Sequence, residues 1–284
     1  MDATDNFSRA LKPRAEGAAR GGDPSAGSTS RSIADGTLAV LSRHMVLYRR
    51  LWQASVFSSF ILPIFFVISI GIGVGGYVGQ IDGWDYLSYI VPGVLASGAF
   101  QTAVGESTFP VMGDFKWSRA YHAMRATPVR IIDMILGWQL YIQIRVFIAA
   151  VVFIGVSAVF GAVHSPWVML TPFICALLAL SVAAPVSAFS AGLDNDSYFS
   201  LLFRFVVIPS TLFAGVFFPV EQLPPVVRPL AYASPLWHGV ELCRSAMLGV
   251  PTPWPVWIHV AYLVALSGLG LWWAWAAYTK RLRD

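Results

Sequence analysis

Residues 146–193, VFIAAVVFIGVSAVFGAVHSPWVMLTPFICALLALSVAAPVSAFSAGL, contain no Asp, Glu, Lys or Arg. A bilayer core about 30 Å thick is crossed by roughly 20 apolar residues of helix, so a run of this length holds two crossings. The turn between them is GAVHSPW at 161–167, where Gly, Ser and Pro break the apolar pattern. Two more uncharged runs accompany it, between Arg50 and Asp82 and between Arg244 and Lys280. Composition agrees: 56% of the 284 residues are hydrophobic, 12% are charged, and the mean hydropathy is +0.64. A soluble domain carries about 25% charged residues, twice this share. Length alone admits one or two soluble domains, but charge excluded from three long runs makes this an all-α, polytopic membrane protein.

Six transmembrane helices are expected, over about 54–76, 86–106, 134–160, 167–190, 199–218 and 256–278. An even number of crossings puts both termini on one side. Placing them in the cytoplasm leaves 15 of the 19 Lys and Arg residues inside, with only Arg228 and Arg244 in outside loops and Arg145 and Arg204 within spans. The positive-inside rule therefore sets the orientation, in a cytoplasmic (inner) membrane. The net charge of +4 belongs to this topology rather than to nucleic-acid binding, since no basic run is interleaved with exposed aromatics. Residues 1–32, rich in Ala, Gly and Ser and without an apolar core, read as a disordered cytoplasmic tail and not a secretory signal. Residues 33–53 follow as an amphipathic helix. Leu38, Leu41, Met45, Tyr48 and Trp52 form its apolar stripe, and Arg43, Arg49 and Arg50 fall largely off it. Such a helix is expected to lie in the inner interface, or else to extend the first crossing. The six-helix membrane domain covers 54–279.

Two segments depart from simple spans. A cytoplasmic loop at 107–132, STFPVMGDFKWSRAYHAMRATPVRII, is long enough for a helix, with breaks at Pro110 and Pro128. The outer segment 219–250 is too apolar for a free loop, yet Pro224, Pro225, Pro229 and Pro235 forbid one crossing helix. Broken helical pieces, re-entering the outer leaflet and buried against protein, satisfy both constraints.

Several chemistries are missing. The three lysines, Lys12, Lys116 and Lys280, follow no phosphate-cradling glycine pattern, so the chain is not its own P-loop ATPase. Glycines 71, 73, 75 and 76 end an apolar helix and suit close helix packing. His44, His122, His164, His238 and His259 are scattered, and Asp194 and Asp196 in GLDNDS suit a turn, so no metal site is expected. Cys175 reads as a small packing residue. The informative polar residues are those at membrane depth, where a charge costs about 2.5–3.5 kcal/mol on insertion scales. Glu106 ends the second span, Asp133 begins the third and Arg204 lies inside the fifth. Arg145 follows Asp133 by about 18 Å of helix, so those two do not pair. Snorkelling to the inner headgroups and pairing between helices along a pathway both account for the two arginines.

RAYHAMRATPVRIIDMILGW (119–138) resembles the cytoplasmic loop of the type-2 permeases of ABC exporters, within them the nodulation lipo-oligosaccharide and daunorubicin-resistance branch. LFAGVFFPVEQLPPVVRPLAYASPLWHGVELCRSAMLG (212–249) resembles the outer segment of the same family. The resemblance spans roughly 35–280. It implies a permease subunit, not an enzyme, that dimerises with a second copy or a paralogue. It also implies a separate cytoplasmic ABC ATPase, two copies, that binds ATP and Mg while this chain holds no cofactor. A coupling helix in the 107–132 loop would dock on that ATPase, with Phe115, Trp117, Tyr121 and Met124 as an apolar anchor and Lys116, Arg119 and Arg125 around it. The same loop could instead rest on the membrane. Glu106, Asp133, Arg145 and Arg204 become pathway candidates. Pro219, Glu221, Pro224, Pro235, His238 and Glu241 mark the outer re-entrant segment. His122 and Trp138 stand where the lipo-oligosaccharide branch commonly has Glu, whereas Asp133 and Arg145 match it. Eleven Trp and 19 Phe suit a lipid-linked, glycolipid or drug-like amphipathic cargo, and interfacial aromatic belts equally. A lipid-carrier transferase and a passive channel or scaffold remain as alternatives to outward transport.

Overall fold

The structure, a computed structural model, describes residues 33–50, 62–69, 73, 77, 79–81 and 83–283. The expected tail, most of the first span and most of the glycine run at 71–76 lie outside these residues. Helix α1 (Ile33–Arg50) is followed by the short α2 (Leu62–Ile68). A two-residue hairpin, β1 (Gln80–Ile81) and β2 (Trp84–Asp85), pairs Gln80 with Asp85 and Ile81 with Trp84. Asp85 then caps α3 (Tyr86–Ser107), its carboxylate accepting from the Leu87 N–H at 3.3 Å. The chain continues through α4 (Phe109–Lys116), α5 (Ala120–Arg125) and the 29-residue α6 (Ile131–Val159). A 3-10 turn (Pro166–Leu170) leads into α7 (Thr171–Ala191). Helix α8 (Ser197–Leu202) passes through a π turn (Phe203–Val207) into α9 (Ile208–Phe213). Then come α10 (Arg228–Tyr232), α11 (Pro235–Leu248) and α12 (Val256–Arg281).

Among the described residues four helical runs are long and apolar enough to cross a membrane: Tyr86–Lys116, Ile131–Val159, Pro166–Ala191 and Val256–Arg281. They correspond to the second, third, fourth and sixth expected spans. The fifth appears as the shorter apolar run Ser197–Phe213, interrupted by its π turn.

The centre of the packing is α7, and its sequence explains why. Ala179, Ala183, Ala184, Ala188 and Ala191 are buried, and side chains this small let neighbouring backbones approach closely. Helix α12 runs parallel to it, with Gly270 against Pro185. A Cβ at 270 would lie 2.5 Å from Pro185 Cδ and 2.8 Å from its backbone nitrogen. Helix α11 runs antiparallel to the first half of α7. Gly239 meets Leu178, and one turn further on the buried Sγ atoms of Cys243 and Cys175 lie 3.9 Å apart. Helix α3 is tied to α7 by the Ser190 hydroxyl, which donates to the Ser107 carbonyl at 2.7 Å. Both cysteines are thus packing residues in a helix seam.

Helix α1 differs from expectation. It lies lengthwise on the first half of α6 and parallel to it. Gly36 meets Asp133, Val40 meets Gly137, and the His44 and Tyr48 rings meet Tyr141. The seam is the i, i+4 series 36, 40, 44, 48; of the predicted stripe, Leu41, Met45 and Tyr48 pack against the core, Leu38 is left 55% exposed and Trp52 lies outside the described residues. The reason is steric. Gly36 and Gly137 remove the Cβ atoms at the crossing, so α1 fits α6 more closely than a headgroup layer could fit α1.

Gly270→Ala is expected to cost about 1–3 kcal/mol through overpacking against a backbone that cannot yield. Gly268→Ala, with nothing within 4 Å of the added carbon, is expected to be neutral or slightly stabilising. Thermal unfolding of the detergent-purified variants reads the difference.

Candidate functional site

Three polar or aromatic clusters interrupt the apolar bundle. The first is built on α4 and α5. Pro110 sits in the first turn of α4, where its missing N–H is harmless. The corner into α5 is made by Arg119 at φ 50°, the one non-glycine residue in the left-handed region among those described. Such a backbone costs on the order of 1 kcal/mol and persists because its surroundings fix it. Here those surroundings are tight. The Asp114 carboxylate accepts from Arg43 of α1 at 3.3 Å and from the Ser118 hydroxyl at 2.9 Å. Lys116 Nζ donates to the Asp194 carbonyl at 2.8 Å, and the Asp194 carboxylate receives Arg281 of α12 at 2.6 Å. Asp194 is therefore a turn residue, as its sequence context suggests, and also a bridge between two helices.

The expected apolar anchor is divided. Phe115 and Tyr121 do not face outward. They are buried, their rings 4.6 Å apart, and both pack on Tyr278 near the end of α12, at 4.8 and 5.2 Å. Burial pushes the Tyr121 phenol well above its ordinary range, so it stays neutral. Met124 is half-buried. The outward surface is Trp117, 62% exposed, with Lys116, Arg119, His122 and Arg125 exposed around it. The amphipathic period of so short a pair is set by the corner at Arg119, which the sequence does not announce.

The second cluster joins α1, α3 and α6. Arg145 pairs with Glu106, and its guanidinium lies 5.5 Å from the Tyr48 ring and 5.8 Å from the Tyr141 ring. The side chains are 23% and 20% exposed, so the pair is reachable from the surface. Next to it His44 meets Trp138 edge-on at 4.4 Å. Burial, and then the charge of Arg43, lower the His44 pKa to about 4, so it is neutral at physiological pH. Trp138 thus packs an aromatic ring between His44 and Tyr141. The other two pathway candidates do not join this cluster. Asp133 is buried beneath Gly36 and accepts from the Arg130 N–H at 3.0 Å, a helix-start role. Arg204 is exposed on the π turn.

The third cluster lies at the far end. Pro219 precedes a 3-10 turn (Val220–Gln222), and Pro224 accepts from the Val227 N–H at 2.9 Å. Arg228 donates to the carbonyls of Glu221 and Leu223 at 2.6 and 3.0 Å. Pro235 opens α11, which Ser234 caps through the Leu236 N–H at 3.3 Å. Within α11, Glu241 receives Arg244 at 2.7 Å. Arg244 also donates to the Gly215 carbonyl at 2.7 Å and covers the Tyr89 ring at 4.3 Å. His238 Nδ1 lies 2.9 Å from His259 Nδ1 of α12, and Tyr262 stacks on His238 at 4.1 Å. His259, Arg244, Tyr278 and Asp114 are participants that sequence reading passes over, because each is defined by a partner more than 20 residues away. Among the described residues no three metal-ligating side chains converge.

Arg145→Gln should destabilise the chain by about 1–3 kcal/mol, since it strands the Glu106 carboxylate in a partly desolvated site. Glu106→Gln combined with Arg145→Gln should recover most of that loss. A double-mutant cycle on unfolding in detergent would show it, and a double-variant loss equal to the sum of the two single losses would refute the coupling.

The profile of the ABC-2 type transporter family matches residues 36–248. Nodulation protein J of Rhizobium leguminosarum bv. viciae is 26% identical over 226 residues, 80% of this chain and 87% of the relative. Nodulation protein J of Rhizobium meliloti is 26% identical over 248 residues, 86% and 93% of the two chains. The inner membrane transport permease YadH of Escherichia coli is 25% identical over 239 residues, 80% and 90%. With the matched region running from α1 to the end of α11, this chain belongs to the ABC-2 type transporter family and is a multi-pass membrane transport permease subunit.

Proposed function

We propose that the chain is the six-span permease of an ATP-driven exporter in the cytoplasmic membrane, with both termini inside. It moves a lipid-linked, glycolipid or amphipathic drug-like molecule outward. Its partners are two copies of a cytoplasmic ABC ATPase, which bind ATP and Mg, and a second permease copy or paralogue. The observation that carries this reading is the α4–α5 pair. It presents an exposed Trp ringed by four cationic or imidazole side chains, and it is fastened to α1, to the Asp194 turn and to α12. A surface merely resting on headgroups has no need of such fastening, whereas a surface that receives a push does.

Topology supports the reading. Arg43, Asp114, Asp194 and Arg281 meet at one end of the bundle. Trp84, His164, Met247 and Gly249 meet at the other: the Trp84 and His164 rings are 4.9 Å apart, and the His164 N–H donates to Met247 at 3.0 Å. The cation-rich segments thus share the proposed cytoplasmic end. Helix α11 begins beside Leu178 and finishes with Gly249 beside Ser165, so it enters and leaves from the proposed outer end. The cargo class is supported by the second cluster. An ion pair reachable at membrane depth, walled by Tyr48 and Tyr141, offers charge to a polar headgroup and ring faces to its sugar or chain.

Purification of the chain in mild detergent from its native host is expected to bring a P-loop ATPase with it. Trp117→Ala with Arg119→Glu and Arg125→Glu should abolish that association while leaving thermal stability unchanged, because all three side chains are exposed. Association that survives the triple change would sink the docking assignment. An ATPase absent from both samples would sink the exporter reading itself.

A further inference from the structure

Helix α12 touches the proposed coupling pair at one end and the outer helix α11 at the other, each time through buried or stacked rings. We propose that α12 is the strut that carries movement of α4–α5 to α11, through one aromatic joint at each end. This rests on the reading of α4–α5 as the ATPase contact and adds the route beyond it.

The inner joint is Tyr278. It is 1% exposed, wedged between Phe115 and Tyr121, with its hydroxyl 3.5 Å from that of Tyr121. One turn later Arg281 reaches Asp194, whose carbonyl already holds Lys116. The end of α12 is thereby clamped to α4 and α5 by rings and by charge. The outer joint is His259 with Tyr262. His238 Nε2 faces the Tyr232 carbonyl at 3.1 Å and must donate to it. Its Nδ1 is then the acceptor, and His259 Nδ1–H donates across 2.9 Å. Tyr262 lies flat on His238, 18° from parallel, and its hydroxyl donates to the Ala233 carbonyl at 2.5 Å.

About 28 Å of uninterrupted helix separates His259 from Tyr278. Close-packed joints of this kind have little compressibility, so a displacement at Phe115 and Tyr121 is delivered along α12 rather than absorbed. Gly270 on Pro185 keeps α12 and α7 in contact, so the two helices move as one body. A competing route exists through α3, whose Tyr89 lies under Arg244 of α11. That route bypasses both joints, which makes the two separable.

The test uses the chain with its ATPase in nanodiscs of phosphatidylethanolamine and phosphatidylglycerol. A spin label is placed on Val226→Cys, 89% exposed in the outer segment, while Cys175 and Cys243 are buried. Trapping the complex with ATP and vanadate should change the label's spectrum. His259→Leu breaks the outer joint without touching α4–α5 and should cut that change at least about fivefold while ATP hydrolysis stays within about twofold. Tyr278→Leu should cut the change by a similar factor. Tyr278→Phe, which keeps the ring, should behave as the unaltered chain. An outer response that survives both leucine variants would overturn the strut and assign the route to the contacts of α11 with α3 or α7. An unaltered chain whose label ignores nucleotide would overturn it equally. Failure of the ATPase to associate at all would instead mark failure of the docking reading.

Discussion

Hydrocarbon offers no hydrogen bonds, and the arrangement of this protein follows from that shortage. Among the described residues, most charged groups of the bundle interior, and two of its imidazoles, have a protein partner. Arg145 has Glu106, Arg244 has Glu241 and a backbone carbonyl, and His238 has His259. Apart from Arg244–Glu241 within α11, each pairing joins segments distant in sequence, or an element to a loop. Satisfying the charges therefore also fixes which helices are neighbours. Arg204 is the exception that fits the rule, being exposed on a π turn near the cation-rich end, where a long side chain reaches polar surroundings.

Small side chains make those pairings geometrically possible. The alanines of α7 and the glycines at 36, 137, 239 and 270 bring backbones close enough for short polar groups to meet. In the membrane this packing is the main attraction between helices, since burying an apolar side chain from lipid gains little. The same economy explains the outer segment. Its prolines stop each helix early, and Ser234, Arg228 and Arg244 take up the freed carbonyls and N–H groups. The result is a series of short helical pieces rather than one long helix.

Much of this was legible from residues alone where the signal was local. Uncharged runs located the membrane helices that are described, and GAVHSPW marked their turn. Proline spacing announced the breaks that divide 219–250 into short helical pieces. The α4–α5 corner, the seam of α1 on α6 and the inward turn of Phe115 and Tyr121 were not legible. The first hangs on one left-handed residue, Arg119. The second hangs on Gly36 against Asp133 and Gly137 against Val40, where the absence of a side chain lets the two helices approach. The third hangs on Tyr278, lying 157 residues from Tyr121.

Charge distribution and hydropathy by themselves determined the class of protein, the helical content and which loops gather the cations, because those properties depend on the solvent each stretch must meet. Only the tertiary structure decided who pairs with whom: that Asp194 bridges Lys116 and Arg281, that Asp133 caps its own helix, and that α12 touches both the α4–α5 pair and α11. The physical reason is range. Solvent preference is a property of each residue and its near neighbours, whereas a contact between rings or charges acts over a few ångströms and waits for the fold to bring its two halves together.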